Sequence, residues 1–142
     1  MAGFVFNTGA YRLLAGSTVW TSSPIRFRLC PTAQGAISID AANMTGLATL
    51  AHSTQQITPT SPVGPTQVDA DDHVKFTSAN AVFTTANAAI GACNRMIMFH
   101  FITDDAGSFP IAYCDITPVT PNGGDVTVTM DALGWFYMQQ HA

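Results

Sequence analysis

The sequence predicts an all-β domain, a sandwich or a barrel, and three observations carry that expectation. Only 10% of the 142 residues are Asp, Glu, Lys or Arg, against about 25% in an ordinary soluble domain. All nine acids are Asp, Lys75 is the only lysine and Thr occurs 18 times. Glu and Lys populate exposed helix faces, whereas β-branched Thr suits a pleated strand. Short apolar runs recur with turn residues between them at intervals of roughly 8–12 residues, and no long helical period competes with them. A chain of this size can bury roughly 68–70% of the surface its unfolded form exposes, so residues 1–142 are read as one domain.

Taken in order, residues 4–6 read as a short strand, followed by one helical turn ending at Gly16. "IRFRLC" alternates strictly, with Ile25, Phe27 and Leu29 on one face and Arg26 and Arg28 on the other, between Pro24 and Pro31. That is the period of a half-buried strand. "AISID" is expected as a further strand with Ile37 and Ile39 inward; residues 41–52 fit one helical turn or a short strand, and the helical turn is the expectation. Prolines at 59, 62 and 65 punctuate residues 53–72. Proline cannot donate to a central ladder, so this segment is expected as an edge strand, an extended arm or a long loop. "HVKFT" and "NAVFTT" read as short strands around a turn at "SAN"; "GGDVTVTM" and "GWFYM" close the chain with two more.

The motifs point away from catalysis. His52, His73, His100 and His141 stand alone, without HxH, HExxH or CxxC spacing, so no metal centre is expected. The acidic stretches 68–73 and 103–107 lack the EF-hand pattern and are read as Asp-rich turns. No GxSxG is present, and no catalytic residue, metal or cofactor is expected. Five scattered basic residues and a net charge of −4 offer no footprint for nucleic acid. No run approaches the ~18–20 apolar residues of a membrane helix, and the N-terminus lacks the pattern of a secretory signal. Cys30, Cys93 and Cys114 are read as reduced, packed thiols.

"MIMFHFI", residues 96–102, raises a different question. Met96, Met98, His100 and Ile102 form one face and Ile97, Phe99 and Phe101 the other; both are apolar, whereas an antiparallel strand commonly shows one face to water. The second face is therefore expected to be covered, by the chain's own N-terminal segment or by another subunit. With "PIAYCDI" it forms an expected hairpin, strands near 96–102 and 109–116 about a tip at Asp104–Gly107.

Four stretches, "GAYRLLAGSTVWTSSPIRFRL", "DDHVKFT", "FITDDAGSFPIAYCDI" and "GGDVTVTMDALGWFYM", are distributed along the chain from residue 9 to residue 138. Their layout resembles the small cement, or decoration, proteins on the heads of tailed, in particular short-tailed, bacteriophages. The resemblance implies an eight-stranded jelly-roll β-sandwich with no catalytic residues, bound to the outer capsid surface of the virion after synthesis in the host cytoplasm. Implied partners are the major capsid protein and further copies of the chain, as a dimer or trimer. Trp20, Phe99, Phe101 and Trp135 are the expected core anchors. The candidate interface comprises Thr54, Ile57, Thr58, Pro59, Pro62, Val63, Pro65 and Val68 of the arm, with Arg26 and Arg28 clamping a partner's carboxylates. The alternative is an attachment module of a fibre, using the rings of "GWFYM" against a cell-surface glycan.

Overall fold

A computed structural model describes residues 3–34, 36–45, 47, 56–71 and 73–139. The short alternating runs become ten strands: β1 (Gly3–Val5), β2 (Ile25–Pro31), β3 (Gln56–Ile57), β4 (Val63–Val68), β5 (His73–Thr77), β6 (Ala81–Phe83), β7 (Cys93–His100), β8 (Phe109–Val119), β9 (Val126–Val128) and β10 (Phe136–Gln139). One helix, α1 (Asn7–Leu14), lies between β1 and β2. The strands pair antiparallel as a five-stranded sheet in the order β1-β8-β7-β2-β3, a three-stranded sheet β10-β5-β4 and the pair β6-β9. All three contribute to one main core, in a sandwich-like arrangement.

The alternation of β2 survives in its packing. Ile25, Phe27 and Leu29 enter the main core, where Phe27 meets the Trp20 and Trp135 rings at centroid distances of 6.0 and 5.1 Å. Phe136 stacks on Phe76 at 4.4 Å, and Trp20 stands edge-on to both. The two tryptophans thus belong to a single aromatic cluster joining the five-stranded and three-stranded sheets. Each indole N–H finds an acceptor, Trp20 in the Thr77 carbonyl at 2.8 Å and Trp135 in the Ser78 hydroxyl at 2.7 Å, as buried indoles require.

Central strand β7 has two covered faces. Met96 and Met98 pack in the main core, while Ile97 and Phe99 join Phe6, Cys30, Met44 and Leu47 in a second buried cluster. Phe4, Ile37, Ala41, Phe101 and Tyr113 pack around that second cluster. The chain's own N-terminal segment and the 37–47 segment therefore cover the sheet, and the doubly apolar pattern is accounted for without a second subunit.

Four expected elements differ. The single helical turn is a helix of eight residues; it lies so close to β8 that a Cβ at Gly9 would stand 2.4 Å from the Ile111 carbonyl oxygen. "AISID" forms no strand. The Ile39 carbonyl instead accepts from the Asn7 N–H and the Asp40 carboxylate from the Asn7 amide, satisfying groups at the start of α1 that no side-chain cap serves; Ile39 is left exposed. β7 begins at Cys93 and stops at His100, because the next two N–H groups turn to the Pro24 carbonyl and the Ser108 hydroxyl. Ile102 is consequently 51% exposed rather than core-facing. Residues 43–45 and 47 form bends and turns instead of the expected helical turn, Met44 donating its N–H to the Asp105 and Ser108 carbonyls; 46 and 48–52 lie outside the described residues.

Candidate interface

Proline punctuation dictates where residues 56–71 run. β3 pairs on one side with β2, Phe27 opposite Ile57 and Arg28 opposite Gln56, and forms the outer edge of the five-stranded sheet. β4 pairs on one side with β5 and forms an outer edge of the three-stranded sheet. Pro65 falls where the β4–β5 register shifts, between Val63 and Thr66, the place in a ladder that tolerates a missing N–H. The segment between β3 and β4 thus switches sheets, tied by the Ala79 N–H to the Thr60 carbonyl at 2.8 Å and the Thr77 hydroxyl to the Val63 carbonyl at 3.3 Å.

The described part of the expected arm is therefore laid against the body as two edge strands. Ile57 packs against the main core and Pro59 is buried, so neither faces outward. Pro62 and Val68 are half-buried, while Thr58, Val63 and Pro65 are exposed, Val63 by 54%. Thr54 lies outside the described residues, as do His52 and His141. What faces solvent on this flank is two edge strands and their connection, with Thr58, Thr60, Ser61, Val63, Pro65 and Gln67 exposed ahead of the Gln67–Asp69 side-chain pair.

Arg26 and Arg28 leave β2 on the same face but do different work. Arg28 is buried; its Nη1 and Nη2 both donate to one Asp105 oxygen at 3.0 Å and Nη2 also to the Gln56 side-chain oxygen at 3.1 Å. Its guanidinium lies 4.8 Å from the Phe99 ring centroid, and its Nε has no hydrogen-bond partner. A side chain held in this way is a strut between β2, β3 and the hairpin tip, and the expected clamp on a partner's carboxylate does not apply to it. Arg26 lies over the half-buried Phe101 ring, 3.7 Å from its centroid, and makes no ion pair with a described residue. Half-buried, Arg26 covers an aromatic face with its guanidinium, an arrangement that attracts a cation to the ring.

The hairpin tip is a turn held by its own acids and serine. Asp104 accepts from the Gly107 N–H at 2.7 Å, and the Ser108 hydroxyl donates to the Asp104 carbonyl. Among the described residues no group of three or more His, Cys, Asp or Glu side chains is placed to hold a metal ion. Of the "GWFYM" rings, Trp135 and Phe136 are buried and Tyr137 is part-exposed beside the His73 ring at 5.4 Å, so the stretch offers a glycan one face rather than three. No described helix is long and apolar enough to cross a membrane. Sequence reasoning missed the Asp105 partner of Arg28 and the Thr18 partner of His100, 77 and 82 residues away respectively; strict alternation in "IRFRLC" marked the arginines' face, but no local pattern marks such distant acceptors. No protein-family model, no curated protein and no solved structure matches the chain.

Proposed function

We propose that the protein is a viral structural protein, a capsid cement subunit of jelly-roll type that binds the outer surface of a bacteriophage head and bridges major capsid protein subunits. One observation carries the reading: β3 and β4 are edge strands of two of the three sheets, and the exposed side chains from Thr58 to Gln67 are the uncharged Thr58, Thr60, Ser61, Val63, Pro65 and Gln67, the first charge being Asp69. An exposed edge is a template for another chain's strand, and soluble proteins commonly blunt such edges with lysine or other charges. Here Lys75 is the only lysine, and it stands on β5, inside its sheet. A partner strand adding to such an edge gains main-chain hydrogen bonds without ion pairs, which suits a chain with only 10% charged residues. The resemblance in layout supports the same reading.

Stabilisation then follows from mass action, since a ligand that binds only the assembled shell raises the shell's resistance to heat and internal pressure. Purified heads bearing the protein are expected to melt at a higher temperature than heads lacking it; equal melting refutes the proposal. Val63→Asp tests the flank, because an exposed substitution usually changes fold stability by no more than about 0.5 kcal/mol. The variant is expected to fold normally and to lose capsid binding, and full binding would move the interface elsewhere.

A further inference from the structure

Four side chains distant in sequence meet at the end of β7. Arg12, near the end of α1, lays its guanidinium over the Phe109 ring, 3.7 Å from the centroid. His100 meets the same ring edge-on with centroids 4.8 Å apart, and its Nδ1 stands 2.9 Å from the Thr18 hydroxyl. Thr18 is buried, and its N–H and that of Ser17 both donate to the Arg12 carbonyl. The hydroxyl–imidazole contact therefore ties the whole exit of α1 to the sheet.

The charged surroundings of His100 are simple. Its neighbours across the sheet are Ile25 on β2 and Phe109 on β8, neither ionisable. Arg26 and Arg28 leave the other face of β2, over Phe101 and Phe99. At the hairpin tip, Asp105 is engaged by Arg28 and Asp104 by the Gly107 N–H. From α1, Arg12 is the charge that acts on the imidazole.

We propose that Arg12, Thr18, His100 and Phe109 form an acid-released latch, which holds the end of α1 and the 15–18 turn on the sheet at neutral pH and frees them when His100 takes up a proton. With Nδ1 unprotonated, the Thr18 O–H donates to it and each polar hydrogen at the contact has an acceptor. A proton from solvent on Nδ1 turns that acceptor into a donor. The hydroxyl oxygen can accept the new N–H, but its own hydrogen then loses, in a buried place, the one hydrogen-bond partner it has among the described residues. The new cation also shares the Phe109 ring with Arg12. Burial, and then the Arg12 charge, hold the His100 pKa below its ordinary value. The freed state therefore binds the proton first as pH falls below about 6.5, and the latch weakens from there downward.

Hydrogen exchange on the intact protein at pH 7.5 and 5.5, corrected for intrinsic rates, tests this. The expected result is a severalfold loss of protection confined to residues 13–18. His100→Asn, whose amide oxygen still accepts from Thr18 but does not titrate, is expected to abolish that loss. Arg12→Gln is expected to raise the midpoint of the His100 titration followed by NMR. The proposal is overturned if the loss persists in His100→Asn, or if His100 titrates fully in the wild type with no change at 13–18. Should His100→Asn not fold, a His100 midpoint unmoved by Arg12→Gln overturns it as well.

Discussion

Three arginines each lie over a phenylalanine: Arg12 on Phe109, Arg26 on Phe101 and Arg28 on Phe99. In a chain with so few charges the guanidinium serves as a lid, covering an aromatic face while its edge reaches water or a carboxylate. The cysteines show the opposite use of a titratable group. Cys30 and Cys93 have pKa values pushed up to about 11, chiefly by burial, and Cys114 is pushed to about 12 by burial and then the Asp115 charge. A thiol must ionise to react. All three are therefore expected to resist dithionitrobenzoate at pH 8 in the native protein and to react together once it is unfolded; fast native labelling would refute this. Because their folded values are raised, the stabilisation they carry is present below about pH 9 and fades as pH rises toward 11. That the thiols pack as small hydrophobes was legible from their odd number and wide spacing; the pairing of Arg28 with Asp105 was not, because hydrogen-bond partners 77 residues apart leave no local pattern.

At the scale of elements, the contact between α1 and β8 has the tightest tolerance. Alanine is the better helix former by roughly 1 kcal/mol, yet a methyl at Gly9 would lie 2.4 Å from the Ile111 oxygen and 2.5 Å from its Cα, both backbone atoms that cannot step aside cheaply. Gly9→Ala is thus expected to destabilise the protein by about 1–3 kcal/mol, in the range of overpacking, and thermal melting reads it; a rise in Tm would show that the helix can lift off. The helix also shows why "AISID" is not a strand. Its carbonyl and carboxylate serve the start of α1, and a backbone acceptor spent there is not free for a ladder. Period-2 alternation identified β2, β5 and β9 because strand pattern is local, while "AISID" alternates equally well and is claimed by a partner from elsewhere in the chain.

The whole molecule is a sheet with a core on each side. The main core joins all three sheets, and the second is closed by Phe4, Phe6 and the 37–47 segment over Ile97 and Phe99. Phe99→Ala removes a fully buried ring from that second core and is expected to cost about 3–5 kcal/mol. Denaturant unfolding measures it; a loss below about 1 kcal/mol would mean the second cluster adds little. Composition and alternation alone determined that the protein is β and strand-dense, since Thr, Val and Ile act through their own backbone geometry. They also showed that the 96–99 stretch of β7 must be covered on both faces, since Met96, Ile97, Met98 and Phe99 leave no polar face for water. Which surface does the covering, which sheet each proline-flanked strand borders, and which arginine is a buried strut were decided only by the tertiary structure. Those outcomes depend on contacts closed across long stretches of chain, and the side chains that meet there carry no signature of each other until the sheets have brought them together.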